Sequence, residues 1–157
     1  MSLPYGGIGT KVYIAPAVVA VPADATAYNA LSWTEIGGVQ GFPAHGDQSA
    51  ELTASELSSE RVKKAKGPRN AGTVSVTCTH YDDDTGQAAL VAAEATEFNY
   101  PFKVVTPNRA TTGGTDGIRY FTGLVLSERL GDLTPDGITT RIFDISINSA
   151  VTKVAPT

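Results

Sequence analysis

Between Thr73 and Tyr81 the side chains alternate in character. Val74, Val76, Cys78 and His80 share one parity; Thr73, Ser75, Thr77, Thr79 and Tyr81 share the other. A period of two, with one apolar and one hydroxyl-rich face, predicts a half-buried strand. The pattern then turns helical. Asp84 stands where an N-cap belongs, with Gln87 three residues on in the capping-box position. Asp82 and Asp83 place negative charge ahead of the helix start, where the backbone dipole favours it. Ala88, Val91, Ala92 and Ala95 fall at i, i+3, i+4 and i+7, so this stripe of small residues is the face predicted to lie against a sheet. After Glu97 a strand returns, with Phe98, Tyr100 and Phe102 on one face, and Pro101 points to an edge position.

The same reading places strands on either side of this unit. Lys11–Ile14 is a short first strand, stopped by Pro16, and residues 16–32 form a loop whose Val18–Val21 run is a candidate edge strand. Trp33–Phe42 is the second strand, weakened by Gly37, Gly38 and Gly41, which hint at a bulge or a close backbone approach. Tyr120–Leu130 and Thr140–Asn148 follow, the latter with Phe143, Ile145 and Ile147 facing in and Asp144, Ser146 and Asn148 facing out. Residues 107–117 and 131–137 are turn chemistry, and residues 149–157 a flexible tail. The fold class is therefore mainly β: a β-sandwich or barrel of about six antiparallel strands with one flanking α-helix, in a single domain.

Residues 43–72 break the pattern, with Leu52, Leu57 and Val62 their only large apolar side chains. So long a connection without its own core is functional or disordered; Ala50, Ala54 and Leu57 offer a weak helical stripe, and the preferred reading is a long arm over about 43–70, a hairpin being one form of it, that orders only against something else. Charge singles out the same stretch. The chain of 157 residues carries a net −4, yet residues 51–70 hold three acids (Glu51, Glu56, Glu60) against five bases (Arg61, Lys63, Lys64, Lys66, Arg69). The acidic remainder argues against a nucleic-acid binder, and no aromatic interleaves the basic run. An acid-then-base arm fits a head-to-tail contact between identical copies.

Catalytic motifs are missing. No phosphate loop, nucleophile elbow, HExxH or CxxC is present, so no enzyme activity and no cofactor are expected. His80 with Asp82, Asp83 and Asp84 lacks the spacing of a calcium loop, and helix-start carboxylates explain it. Cys78, the single cysteine, falls on the apolar strand face as a small core residue. Trp33 reads as core or interface, and His45 sits in a loop without a nameable partner. The opening MSLPYGGIGTKV has no basic and apolar regions of a secretory leader, and no run approaches the ~20 apolar residues of a membrane helix.

Taken in order, several short motifs carry a family likeness. They are GTKVYI in the first strand, Trp33-x-x-Ile36-x-x-Val39 in the second, and Glu51-Leu52-Thr53-Ala54 in the arm. Gly72-Thr73-Val74-Ser75-Val76, Gly86-Gln87-x-Ala89-Leu90, Phe102-Lys103-Val104 and Ile145-Ser146-Ile147 follow. Over about residues 7–150 the chain resembles the major tail tube proteins of long-tailed, siphovirus-like bacteriophages and the related tubes of gene transfer agents. The resemblance implies a fold shared with type VI secretion tubes, sixfold rings, and stacking of rings into a hollow tube. The arm, mobile in the free subunit, would then reach onto neighbours. The resemblance also implies a tape-measure protein in the lumen, tail terminator and distal tail proteins as partners, and DNA in transit without specific binding. It implies a place in the virion tail after assembly in the bacterial cytoplasm; the C-terminal immunoglobulin-like domain that some members carry is not expected here, since the chain ends too early for it. Acids outside the arm, Glu35, Glu128 and Asp144, are the candidates for the lumen wall. A monomeric β-sandwich module binding carbohydrate or a receptor is the alternative; it would bind its ligand saturably.

Overall fold

The computed structural model describes residues 4–157, so the first three residues of the MSLPYGGIGTKV opening lie outside it. Among the described residues, ten strands and two helices occur in the order β1 (Lys11–Ile14), α1 (Ala25–Asn29), β2 (Thr34–Glu35), β3 (Val39–Gly41), β4 (Gln48–Ala54), β5 (Lys63–Asn70), β6 (Thr73–Thr79), α2 (Thr85–Glu94), β7 (Tyr100–Thr106), β8 (Gly117–Leu130), β9 (Thr140–Ile147) and β10 (Thr152–Val154). All pairings are antiparallel. Eight strands form one curled sheet in the order β2-β1-β7-β8-β9-β6-β3, with β10 beside β8, while β4 and β5 pair only with each other.

The mainly β, antiparallel expectation holds, but the strand count rises from about six to ten and the helix count from one to two. Each addition has a local cause. The expected strand Trp33–Phe42 is split, because Gly38 adopts φ +72° and turns the chain between β2 and β3. The loop 16–32 has no strand at Val18–Val21; it contains α1 instead, whose N-cap Asp24 accepts the Ala27 N–H at 2.8 Å. The tail is not free either, since Thr152–Val154 pair with Ile118–Tyr120 and Thr157 bonds the loop at Thr115.

The split strand closes the sheet. The edge strands β2 and β3 are separated only by Ile36, Gly37 and Gly38, so one short segment pairs with β1 on one side and β6 on the other. The start of α2 seals this seam. Asp84 caps the helix by accepting the Gln87 N–H at 2.7 Å, and the same oxygen accepts the Gly37 N–H at 3.1 Å. Gln87 does not complete a capping box. Its buried amide donates instead to the carbonyls of Gly37 (3.0 Å) and Thr79 (2.7 Å), while its oxygen accepts the Tyr81 N–H at 3.4 Å. The network uses the amide from both ends, which fixes its orientation.

Sealing the seam also decides which face of α2 is inward, and it is not the predicted one. Ala88, Val91, Ala92 and Ala95 are exposed, while Gly86, Gln87, Leu90 and Ala93 are buried. Two physical reasons outweigh the stripe. A Cβ at Gly86 would run into the backbone of Glu35 and Ile36, so only glycine lets the helix come this close. Burying Leu90 also removes more apolar area from water than any of the alanines.

Leu90 meets a core built from alternating strand positions, including Val12, Ile14, Phe102, Phe121, Phe143 and Ile145. Phe98 falls outside β7 and is exposed. The edge expected at Pro101 is also corrected: β7 lies between β1 and β8. Pro101 is tolerated because it sits just beyond the last residue of β1, where its carbonyl accepts the Ala15 N–H at 3.0 Å. On the opposite face of the sheet, Tyr28 of α1 is buried, with its ring stacked 5.0 Å from that of Tyr120 and its hydroxyl 3.0 Å from Thr122 Oγ1. Trp33 leans on Tyr120 and donates its indole N–H to the Tyr28 carbonyl at 3.1 Å.

Cys78 is fully buried in the core. Burial, followed by the nearby Asp84 charge, pushes its thiol up to about 11. The native protein at pH 8 is therefore expected to be inert to a thiol reagent, with the full equivalent reacting only as urea unfolds it. Rapid reaction of the folded chain would contradict this packing.

Candidate assembly interface

The arm predicted at about 43–70 is a two-stranded hairpin, and nearly all of it faces solvent. Every residue of β4 is exposed, as is every residue of β5 except Gly67. Its register pairs Glu51 with Lys66, Leu52 with Ala65 and Thr53 with Lys64. Because partners across a ladder share a face, Glu51, Thr53, Lys64 and Lys66 form a charged side, while Ala50, Leu52, Ala54 and Ala65 form a mostly apolar side that also carries Lys63 opposite Ala54. Gly67 lies flat against Ala50 and Leu52, where there is no room for a larger residue to pack without a shift. A lone two-stranded hairpin is marginal in water. Here its apolar side has no cover among the described residues, with Leu52 half exposed and Leu57 and Val62 in the open turn.

The structure divides the arm's charges into two groups. Lys63 meets Glu56 at 2.8 Å and Lys64 meets Glu51 at 3.1 Å, so these four neutralise one another within the hairpin. Such exposed pairs add little stability. Among the described residues, Glu60, Arg61, Lys66 and Arg69 form no ion pair, leaving the arm a cationic surplus for an outside contact.

The arm leaves the sheet through residues 42–47, where His45 acts as a plug. Its ring meets Phe42 edge-on at 4.9 Å between centroids and lies 6.2 Å from Phe121. Nδ1 donates to the Pro43 carbonyl at 3.1 Å, which leaves Nε2 shielded and without a partner. Burial, with Arg119 and Lys153 nearby, holds the imidazole below its ordinary value. The freed histidine takes a proton first as pH falls. Stability present above about pH 6.5 is therefore lost progressively below it, toward the lowered value of the packed ring. Amide protection factors over residues 44–47, each taken against the intrinsic exchange rate at the same pH, are expected to fall between pH 7 and 5, and His45→Phe is expected to abolish that dependence. The sequence held no signal for this role beyond a histidine in a loop.

The three acids proposed for a lumen wall are not brought together. Glu35 lies opposite Tyr13, on the outer face of the sheet, 3.6 Å from Lys11. Asp144 is also on the outer face, where Ser75 and Ser127 donate to it and Arg129 approaches to 3.1 Å. These hydrogen bonds, Ser75 first, hold its carboxyl below the usual range. Glu128 instead shares a face with Phe143 and lies 3.1 Å from Arg141. Of the helix residues singled out, Asp84 and Gln87 converge on the seam, whereas Ala88 and Val91 point away from it.

No family model matches the sequence, and no curated protein does. Solved structures do match. A chain of the anti-feeding prophage (AFP) baseplate superposes with a TM-score of 0.73 at 10% identity, over 99% of this chain and 98% of that one. The tail of an empty gene transfer agent (GTA) particle, refined helically with C6 symmetry, gives 0.66 at 15% identity over 97% of this chain and all of that one. The SPP1 tail tube gives 0.65 at 16% identity over 96% of this chain and 78% of that one. This is the tail-tube fold. At such identities the likeness is one of architecture, and it spans the whole curled sheet with its helix. In this tail-tube fold the hairpin departs between β3 and β6, beside the seam that α2 closes.

Proposed function

We propose that the chain is a structural subunit that forms hexameric rings, and that the rings stack into a hollow tail tube through which DNA enters the host cell. One observation carries this reading above the others. The hairpin β4–β5 is ordered as paired strands, is amphipathic, and has nothing among the described residues covering its apolar side. It projects from a fold also found in a baseplate described as 6-fold symmetrised and in a gene transfer agent tail refined with C6 symmetry. An amphipathic hairpin without cover is a contact awaiting a partner.

The acidic remainder of the chain suits a wall that repels DNA phosphates rather than holding them. Other copies of the chain are the principal partners, with a tape-measure protein in the lumen and terminator and distal tail proteins at the ends. The place of action is the virion tail, after assembly in the bacterial cytoplasm, and the role is structural rather than catalytic. Negative-stain microscopy of the concentrated, purified protein tests the reading. Rings or tubes are expected. Single featureless particles at every concentration, with or without a seed, would favour the monomeric binding module instead.

A further inference from the structure

Two cations stand without a counter-charge beside residues 42–47, where the chain leaves the sheet for the arm. In the ladder of β8 with β10, Arg119 lies directly opposite Lys153. On its other side Arg119 faces the buried Val104 of β7, and it shares parity with the buried Phe121. Both cations therefore belong to the inward face of the curled sheet, in a row that is otherwise apolar. Like charges directly across a ladder are destabilising. Among the described residues neither one forms an ion pair. The half-buried Arg119 donates to the His45 carbonyl at 3.5 Å, too long to use much of a guanidinium with several N–H donors. The pair opens onto a cleft of about 680 Å³ walled by Tyr5, Phe42, Pro43, His45 and Pro156, a size typical of small-molecule sites. The chain carries a net −4, yet no aspartate or glutamate lines this cleft. His45 registers the uncompensated field: after burial, Arg119 and Lys153 both work against its protonation. Tyr5 accepts the Asn108 amide at 3.3 Å, which leaves its own hydroxyl proton for a further acceptor.

We propose that this cleft binds one small oxyanion, a phosphate or a carboxylate, clamped between Arg119 and Lys153. The planar guanidinium takes two oxygens side by side, and the ammonium approaches from the facing strand as a point charge. A bound anion turns a repulsive cross-strand pair into a bridge between β8 and β10. Through the contact of Arg119 with the His45 carbonyl it also steadies residues 43–47, so occupancy sets how firmly the arm is rooted. The site lies within one chain and does not depend on the tube reading.

Titration of the dispersed, 15N-labelled chain with sodium phosphate, and separately with sodium malonate, tests the site. Both are run at pH 7.5 with chloride exchanged to hold ionic strength constant. Amide shifts at His45, Ile118, Arg119 and Lys153 are expected to saturate with a midpoint of about 1 mM or below. Saturation by phosphate alone assigns a phosphate, by malonate alone a carboxylate, and by both the shared chemistry; each upholds the site. Shifts that stay linear with both anions are those of a general ion atmosphere and would overturn it. Lys153→Gln is expected to weaken binding by about tenfold or more. Lys153 is exposed, so the variant folds. In chloride it is expected to melt no lower than the parent, because one of two opposed like charges is gone. In phosphate the parent is expected to melt higher, and to gain severalfold amide protection over residues 44–47 that the variant does not. This reversal of order is not expected of a lysine with a merely structural role. A variant that binds either anion as tightly as the parent, or that melts below it equally in both salts, counts against the clamp.

Discussion

Replacing Gln87 with leucine is expected to lower the unfolding free energy by about 2–6 kcal/mol. Leucine matches the volume but donates nothing, so the carbonyls of Gly37 and Thr79 lose their side-chain donor. Each carbonyl stranded away from water costs about 1–3 kcal/mol. For a chain of this size that loss corresponds to a fall in melting temperature on the order of 10 °C. The effect is expected to be large because the amide ties three segments at once: the turn between β2 and β3, the end of β6, and the start of α2. Val91→Ser, one turn along the same helix on its outer side, is expected to change stability by no more than about 0.5 kcal/mol. Thermal and urea unfolding followed by circular dichroism measures both. A leucine variant melting within about 2 °C of the parent would remove the seam from the account of this fold.

Deleting residues 47–66, which joins Gly46 to Gly67, is expected to leave a cooperatively folded monomer and to abolish tubes. The excised segment contributes no member of the buried core, and β4 pairs with no strand of the main sheet. Two glycines at the junction allow the shortened connection to find a new turn. In the proposed tube, assembly depends instead on the hairpin's apolar side and on Arg61 and Lys66, which the deletion removes. Sedimentation velocity and negative-stain microscopy read out the result beside a thermal melt. Normal tubes from the shortened chain would show that the hairpin has no part in assembly, whereas a molten monomer would show that it supports the body.

How much of this was visible in the chain depended on how local each signal was. The alternation in Thr73–Thr79 and Thr140–Ile147 set both strands and their inward faces, because a period of two against a half-buried sheet leaves little choice. Asp84 was legible as a cap for the same reason. The inward face of α2 was not, since two stripes competed. A count of small residues favoured Ala88, Val91, Ala92 and Ala95, and only the approach of Glu35 and Ile36 at Gly86 reverses the choice. Gln87 looked like half of a capping box, because its partners Gly37 and Thr79 are distant or nonhelical in sequence and become neighbours only when the sheet curls. β10 was missed because Thr152–Val154 has too few residues for a period to show, and its pairing with β8 supplies the missing order.

By itself the sequence determined the class of fold, most strand positions, and the exposed and charged character of the arm. Each of these follows from near neighbours along the chain, through side-chain period, turn chemistry and charge. Only the tertiary structure decided that the second strand would break at Gly38 to close the sheet, which side of α2 would be buried, and which arm charges are already neutralised. Those outcomes turn on contacts between segments tens of residues apart, where close backbone approach and the satisfaction of buried amides outweigh any local preference.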